Sequence, residues 1–132
     1  MKKNASLMRL GAVLLVIAIV VALFFIWEGY IRQSSGELLA LSVKAEELAV
    51  QQKWDELNTV LDEFEKKWDA TWSVWQIFVD HIEIDNIRFS FARVRGLARI
   101  QCLDNLAPEL SALSEMLRHI PIRETLNVGN LF

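Results

Sequence analysis

Near its N-terminus the chain holds 18 consecutive uncharged residues, 10–27, between Arg9 and Glu28, and all but Gly11 are apolar. As a helix this run would be roughly 27 Å long, which approaches the thickness of a bilayer's hydrocarbon layer. A helix also satisfies its own backbone polar groups, as lipid requires. Trp27, the last residue of the run, and Tyr30 lie at the end of the helix, where aromatic residues are enriched at the membrane interface. The pattern predicts a transmembrane helix over residues 10–30.

A cleaved signal peptide is the alternative to an anchor. Its apolar core is usually about 7 to 15 residues long and precedes a small-x-small cleavage site. Here the core is longer, and the next small cluster lies well beyond it, at residues 34–36. Lys2, Lys3 and Arg9 precede the span, whereas only Arg32 follows it closely. By the positive-inside rule we expect a single-pass protein of the cell membrane, with a cytoplasmic N-terminus and residues 31–132 outside the cytoplasm.

Beyond the span, apolar residues recur at alternating steps of three and four, which is typical of one buried helix face. Three such series follow one another: Val50, Trp54, Leu57, Leu61, Phe64, Trp68, Trp72, Trp75, Val79 and Ile82; then Ile84, Ile87, Phe91, Val94, Ala98 and Cys102; then Leu106, Leu110, Leu113, Leu117 and Ile120. The pattern predicts an all-α fold, in which the transmembrane helix is followed by a small antiparallel bundle of three to four helices.

Signals for helix ends are sparse, because no Gly or Pro occurs between Glu37 and Arg95. We place turns near residues 51–53 and 80–83 and at residues 103–105. Asp104 is the candidate N-cap of the last helix and Pro108 lies in or near its first turn. Pro121 is expected to end that helix. The predicted organisation is a short cytoplasmic segment 1–9, an anchor 10–30, a bundle 31–121 and an irregular tail 122–132.

Charge is distributed unevenly along the chain. Residues 28–132 hold 11 basic and 17 acidic side chains, a net charge of −6, which excludes nucleic-acid binding through bulk charge. Residues 46–85 carry −8 and residues 88–123 carry +3. Two stripes stand out, Arg88, Arg95 and Arg99 on one helix face and Asp55, Asp62 and Asp69 at every seventh position. We expect the acidic helix to pack antiparallel to the basic one, with flanking charges setting the pairing. The alternative is that the arginines face a partner protein or lipid headgroups.

Candidate chemistry is limited. His81 and Asp85 are four residues apart and could meet on one helix face, but a metal site needs three or four ligands and His119 is distant in sequence. A structural role for this cluster, pairing with Arg88 or capping a turn, is the preferred interpretation. The lone Cys102 is expected to be a buried small hydrophobe, with an intermolecular disulfide as the alternative.

The sequence contains no nucleophile elbow and no glycine-rich phosphate loop. The tryptophans at positions 54, 68, 72 and 75 are expected to belong to the core, although they could instead line a ligand pocket. We therefore expect no enzyme, no metal site and no cofactor.

Several short strings together resemble a known family. They are Trp54-Asp55-Glu56-Leu57, then Trp68, then His81-Ile82-Glu83-Ile84-Asp85-Asn86-Ile87, and the ending Glu124-Thr125-Leu126-Asn127-Val128-Gly129-Asn130-Leu131-Phe132. With the N-terminal anchor they resemble, over nearly the whole chain, a domain-of-unknown-function family of small single-pass proteins from spore-forming Gram-positive bacteria. The resemblance implies a membrane-anchored helical domain that often accompanies a multi-pass membrane protein. It gives as candidates for structure or docking Trp54, Trp68, His81, Glu83, Asp85, Asn130 and Phe132.

The functional hypothesis is a non-enzymatic accessory module with a membrane-protein partner; association with a second copy of the chain stays open. An extracytoplasmic sensory domain that holds a small ligand is the first alternative, and an envelope-acting hydrolase is the second. The apolar tail ending in Phe132 is expected to pack back on the bundle, or else to enter a partner. Gly11, Ala18 and Ala22 form a small-residue face on which another membrane helix could pack closely.

Overall fold

The structure, a computed structural model, describes the backbone of residues 2–129 and the side chains of residues 7–121. Within this part the chain forms four α-helices and no strand: α1 (Lys2–Val50), α2 (Trp54–Phe78), α3 (His81–Arg99) and α4 (Leu103–Gly129). The predicted all-α fold, a long apolar N-terminal helix followed by a helical bundle, is confirmed. Contacts divide the chain into two compact units, Met1–Tyr30 and Ile31–Phe132.

The first unit is the N-terminal part of α1 and exposes its apolar side chains. Leu14, Leu23 and Ile26 are each more than half exposed, an arrangement that is unfavourable in water. The rings of Trp27 and Tyr30 stack with centroids 6.1 Å apart. Over Leu7–Val50 the helix is long and apolar enough to cross a membrane, which makes it a candidate membrane anchor.

The second unit has one apolar core to which all four helices contribute. In residues 31–50 of α1 a buried stripe recurs in steps of four and three at Ile31, Ser35, Leu38, Ser42, Ala45 and Ala49, and Ser34 and Leu48 are buried beside it. The other helices contribute mainly Leu57, Leu61, Phe64, Trp68, Trp75, Ile84, Ile87, Phe91, Val94, Ala98, Leu106, Leu110, Leu113, Leu117 and Ile120. These spacings place one stripe of each helix inside the bundle.

Successive helices of the second unit run antiparallel, as the contacts between their side chains indicate. Trp75 near the end of α2 donates Nε1–H to Ser34 Oγ of α1 at 3.0 Å, Phe91 of α3 stacks on Phe64 of α2 at 4.4 Å between centroids, and Glu109 of α4 accepts from Ser90 of α3 at 2.8 Å. Ser42 of α1 in turn donates to the carbonyl of Leu110 in α4 at 3.3 Å. The acidic helix α2 packs antiparallel to the basic helix α3, as predicted, because Arg88 lies over Trp72 whereas the later Arg95 bonds the earlier Asp62.

Two of the turns are built on a glutamine in the left-handed backbone region. Gln52 has φ 57° and Gln101 has φ 53°. The N–H of Lys53 donates to the carbonyl of Leu48, and that of Gln52 donates to Ala49, both at 2.9 Å. These two bonds form a Schellman motif that satisfies the last carbonyls of α1. The corresponding pair of bonds, 3.1 Å each, closes α3.

The connection between α2 and α3 is shorter and begins α3 with a side-chain cap. Asp80 precedes the first helical residue, and its carboxylate accepts the N–H of Ile82 at 2.8 Å. Such a cap satisfies one of the unpaired donors at a helix N-terminus. The turns predicted near residues 51–53 and 80–83 thus lie at residues 51–53 and 79–80.

Several predictions about α4 and its start are wrong, and three of them concern its first residues. The turn lies at residues 100–102, because Leu106 N–H already donates to the carbonyl of Cys102 at 2.9 Å. Asp104 is consequently in the first turn and is not the N-cap. Its negative charge there interacts favourably with the helix dipole. Cys102 is half-buried at this helix start and accepts from Asn105 at 3.4 Å, so it is not a core residue.

Pro121 does not end α4, which continues to Gly129. A proline removes one backbone hydrogen bond from a helix interior. Leu117 and Ile120, which precede it, are nevertheless fixed in the core at 1% and 2% exposure, and tertiary packing of this kind can carry a helix through one missing bond. Residues 122–129 are therefore helical, whereas 130–132 lie outside the described residues.

Candidate functional site

The interface of α2 and α3 is the part of the second unit where apolar packing and charged side chains meet. Its centre is the stacked pair Phe64 and Phe91, with ring planes 20° apart. Trp68 lies one helical turn from Phe64, is buried, and places its ring 5.9 Å from those of both Trp72 and Trp75. Parallel-offset and edge-on arrangements of this kind stabilise beyond simple burial. Together these aromatic rings form the packed apolar base of the interface, which we call the apolar floor.

Arg95 connects the two helices at the edge of this floor. Its Nη2 donates to Glu65 Oε2 at 2.7 Å and also to Asp62, and its guanidinium lies 5.8 Å from the Phe91 ring. Burial lowers the pKa of Arg95, but the hydrogen bonds to Glu65 and Asp62 outweigh it, so this pKa lies above its ordinary value. The predicted charge pairing of the helices is made by this arginine.

The other two arginines of the predicted stripe behave differently. Arg88 lies over the Trp72 ring at 5.6 Å and the Phe89 ring at 5.2 Å, and its Nη2 is 3.7 Å from Asp85. Arg99 is exposed, and the ion pairs of the described side chains include Arg95 but not Arg99. The stripe is thus divided between one arginine inside the interface and two on its surface.

Between α2 and α3 these side chains line an open groove of about 560 Å³. Its walls are formed by Glu65, Trp68, Asp69, Arg88, Phe91, Ala92, Arg95 and Arg99. We call this the α2–α3 groove. The guanidinium groups of Arg88 and Arg99 can donate hydrogen bonds to carboxylates or phosphates, whereas that of Arg95 is bonded to Asp62 and Glu65. Trp68 and Phe91 are buried and expose only their edges in the groove. The groove is suited to recognition of a partly anionic, partly apolar group.

The polar string that begins α3 does not form a convergent site. His81 is exposed at the first position of the helix, Glu83 is half-buried, and the Asp85 carboxylate is paired with Arg88 on the same helix. Among the side chains of residues 7–121 no three of the types His, Cys, Asp and Glu are grouped as metal ligands would be. Asp80, one residue before the string, provides the helix cap.

The remaining candidates from the sequence are scattered. Trp54 is half-buried at the first position of α2, away from the α2–α3 groove, whose lining includes Trp68. Asn130 and Phe132 lie outside the described residues. The groove thus unites Trp68 with the arginine stripe but not with Trp54 or the His81 string.

Two polar contacts of the bundle are absent from the sequence predictions. Glu109 is 20% exposed and accepts from Ser90 Oγ at 2.8 Å and from Arg93 at 2.7 Å (Nη2) and 2.9 Å (Nε). The bond from Arg93 lowers the pKa of Glu109, burial raises it and the bond from Ser90 lowers it again, so that this pKa lies below its ordinary value. The second contact, between Trp75 and Ser34, ties α2 to α1. Both serines are at helical core spacing, which is the signal that could have identified them.

Comparison with known proteins gives one match. A family model described as a domain of unknown function (DUF4363) matches residues 25–131. The chain belongs to this family. The DUF4363 match includes the whole described part of the second unit and the last residues of the first. No curated protein and no solved structure matches the chain significantly.

Proposed function

We propose that this DUF4363 protein is a non-enzymatic single-pass membrane protein whose bundle lies outside the cytoplasm and binds a membrane-protein partner as an accessory subunit. The α2–α3 groove carries the proposal. It presents Arg88 and Arg99 beside the edges of Trp68 and Phe91, which are 5% and 7% exposed, and arginine and aromatic residues are enriched at the energetic centres of protein interfaces. The partner segment that fits it carries a carboxylate beside an apolar side chain.

The interior of the bundle gives the proposed docking surface a stably folded support. In the part of the chain whose side chains are described, every buried side-chain nitrogen or oxygen has a hydrogen-bond partner. Buried hydroxyls are used for contacts between helices, as in the bond from Ser114 to Ser42 at 2.9 Å. A satisfied interior of this kind is what a stably folded bundle requires.

Membrane anchoring is supported by the exposed apolar helix of the first unit, and the orientation by the three basic residues that precede the span. Two measurements test this part. The chain should stay in the membrane after alkaline carbonate extraction, and an added protease should cleave residues 31–132 from the outer face. Solubilisation by carbonate, or protection from the outer protease, would contradict the anchoring or the orientation respectively.

Partner binding is tested by co-purification of the tagged full chain from its own membranes. Arg99→Glu should remove the bound partner, because it reverses the charge of an exposed groove side chain. Lys44→Glu is the matched control, since it makes the same charge change at an exposed position of α1 outside the groove. Loss of the same protein from both variants, or from neither, would refute the groove as the docking surface.

One observation favours a second candidate, a sensory domain that binds a small anionic ligand. The groove volume lies within the range of small-molecule sites, about 300–1,000 Å³. Native mass spectrometry of the chain released from its membrane distinguishes the two, because a small ligand would add a defined mass that Arg99→Glu removes. A protein partner would instead appear as a second chain in the complex.

A further inference from the structure

The connection between α2 and α3 exposes large apolar side chains. Ile77, Phe78 and Ile82 are 69%, 55% and 68% exposed, whereas Val79 between them is buried. We call residues 77–82 the α2–α3 tip. Scattered exposed apolar residues are ordinary on protein surfaces, but three of this size around one short connection form a patch.

The tip lies at the end of the bundle where the chain enters the second unit. Trp75 Nε1 bonds Ser34 Oγ at 3.0 Å, so these two residues are at one level along the bundle. Phe78 is three residues beyond Trp75, and Ile31 is three residues before Ser34 on an antiparallel helix. At 1.5 Å rise per residue, each is displaced by about 4.5 Å in the same direction. Phe78 is therefore approximately level with Ile31, the residue that directly follows the predicted span.

The opposite end of the bundle has a different surface. The turns there contain Gln51, Gln52, Lys53 and Gln101, and the two turns line one shallow surface pocket together. Val50 and Ile100 are also exposed at this end, where Val50 shares a shallow surface pocket with Val43, but the aromatic residue there, Trp54, is half-buried. The aromatic and aliphatic patch is thus specific to the end next to Ile31.

We propose that the α2–α3 tip inserts Ile77, Phe78 and Ile82 into the headgroup layer of the membrane that residues 10–30 cross. The inference rests on the proposed anchoring, because only a spanning segment that ends at Tyr30 brings Ile31 to the membrane surface. The polar layer on each side of the hydrocarbon is about 5–7 Å deep, which is comparable to the reach of these side chains. The bundle would then contact the bilayer at two points, the anchor and the tip.

The charges in and beside the tip indicate which lipids it can contact. No Lys or Arg occurs between residues 68 and 87, whereas Asp80, Glu83 and Asp85 lie in or beside the tip. The tip itself therefore offers no cation to anionic headgroups, the nearest arginines being Arg32 beside Ile31 and Arg88 in α3, and its own insertion depends on apolar side chains. The tip is expected to insert into neutral phosphatidylcholine bilayers as well as into anionic ones.

The experiment uses the full chain in phosphatidylcholine nanodiscs, with Cys102→Ser to leave one reactive thiol per variant. A nitroxide is attached at His81→Cys in the tip or at Gln51→Cys at the opposite end, both exposed positions. Collision rates with oxygen, which concentrates in lipid, and with a water-soluble nickel complex report the depth of each label. We expect a several-fold higher oxygen-to-nickel ratio at position 81 than at position 51.

Ile82→Ser and Ile100→Ser form a matched pair, because both isoleucines belong to or directly follow α3 and are 68% and 70% exposed. Ile82→Ser should reduce the oxygen-to-nickel ratio at position 81, and Ile100→Ser should leave it unchanged. Equal effects of the two substitutions would overturn the proposal.

Two further outcomes would overturn it. A label at position 81 as accessible to nickel as that at position 51, in a chain that resists carbonate extraction, would refute tip insertion while the proposed anchoring stands. Shielding of position 81 from both oxygen and nickel would place a protein surface, such as a second copy of the chain, over the tip. Extraction of the chain by carbonate would instead refute the anchoring on which the inference rests.

Discussion

The hydrogen bond between Trp75 and Ser34 permits a sharp test of how α1 is held in the bundle. Ser34 and Ser35 are neighbours, both are buried, and each hydroxyl donates to a carbonyl three residues earlier at 3.3 Å. Only Ser34 also accepts the indole N–H of the fully buried Trp75. Replacing either serine by alanine therefore removes one bond to the helix's own backbone, and Ser34→Ala also removes the acceptor of the indole N–H.

Ser34→Ala leaves a buried donor without a partner, which costs about 1–3 kcal/mol. Ser35→Ala should cost about 0.5 kcal/mol or less, because alanine is the better helix former and no buried group is left unpaired. The expected difference in the free energy of unfolding is thus about 1–3 kcal/mol. For a bundle of this size, each kcal/mol corresponds to roughly 4–8 °C in Tm.

The assay is urea unfolding of the full chain in detergent micelles, followed by far-UV circular dichroism. Trp75→Phe completes a double-mutant cycle. In that background Ser34→Ala should cost no more than Ser35→Ala, because the donor is gone. Equal stabilities of Ser34→Ala and Ser35→Ala in the otherwise unchanged chain would refute the assignment of this bond as a stabilising contact.

Three further predictions concern the bundle. Phe64→Ala should lower the free energy of unfolding by about 3–5 kcal/mol in urea titrations, since Phe64 is buried and stacked. Gln52→Gly and Gln101→Gly should each raise it by about 0.5–1 kcal/mol, because glycine adopts positive φ without strain; a loss of stability would contradict the left-handed turns. Glu109→Gln should destabilise the bundle at pH 7. Arg93 depresses the pKa of Glu109 in the folded state, so the stabilising contribution of the carboxylate is present above its unfolded pKa and is lost as pH falls through its folded pKa. The difference in free energy of unfolding between this variant and the unchanged chain should therefore narrow below about pH 4.

The core faces of α3 and α4 could be predicted from apolar periodicity. Burial of a helix stripe requires apolar residues at steps of three and four, and the second and third series meet this requirement up to Cys102, which is only half-buried. The first series fails at its ends, where Val50 of α1 and Ile82 of α3 are exposed, and at Trp54 and Trp72 of α2, which are half-buried. Periodicity shows which face turns inward, whereas a turn or a stutter rotates the next residues out of that face.

The buried face of α1 beyond Tyr30 was not predicted, because three of its inward positions are serines. Ser34, Ser35 and Ser42 are all at most 4% exposed. A serine read by polarity alone suggests a surface or a cleavage site. Its hydroxyl can nevertheless be satisfied by the helix carbonyls or by a partner across the interface, as Ser42 is by Leu110. Spacing is therefore a better indicator of burial than polarity for small hydroxyl residues.

The exact positions of the turns at Gln52 and Gln101 could not be predicted, because these turns lack the usual residue type. Helices commonly end with glycine in the left-handed conformation, and neither turn of this kind contains one. Gln52 and Gln101 adopt the conformation because the Schellman hydrogen bonds and the packing of the following helix require it. A glutamine carries no sequence signal for this geometry.

The charge pattern predicted the pairing of α2 with α3 but not which arginine bonds the acidic helix. Arg88, Arg95 and Arg99 are close in helical angle, yet only Arg95, 25% exposed, bonds the acidic helix. Which arginine reaches a carboxylate depends on the axial register of the two helices. That register is fixed by the stacking of Phe64 on Phe91, a contact that spacing alone does not specify.

In the proposed membrane contact, axial register also determines how deeply the α2–α3 tip inserts. An apolar stripe on α1 would allow the helix to slide by one turn, about 5.4 Å, with little loss of apolar contact. The bonds of Ser34 to Trp75 and of Ser114 to Ser42 oppose such a shift at two levels, because each slide leaves buried polar atoms unpaired. A shift of one turn would move Phe78 through most of the headgroup layer's depth. The buried serines therefore control the height of the α2–α3 tip relative to Ile31, and Ser34→Ala should weaken both the stability of the bundle and the depth of the tip.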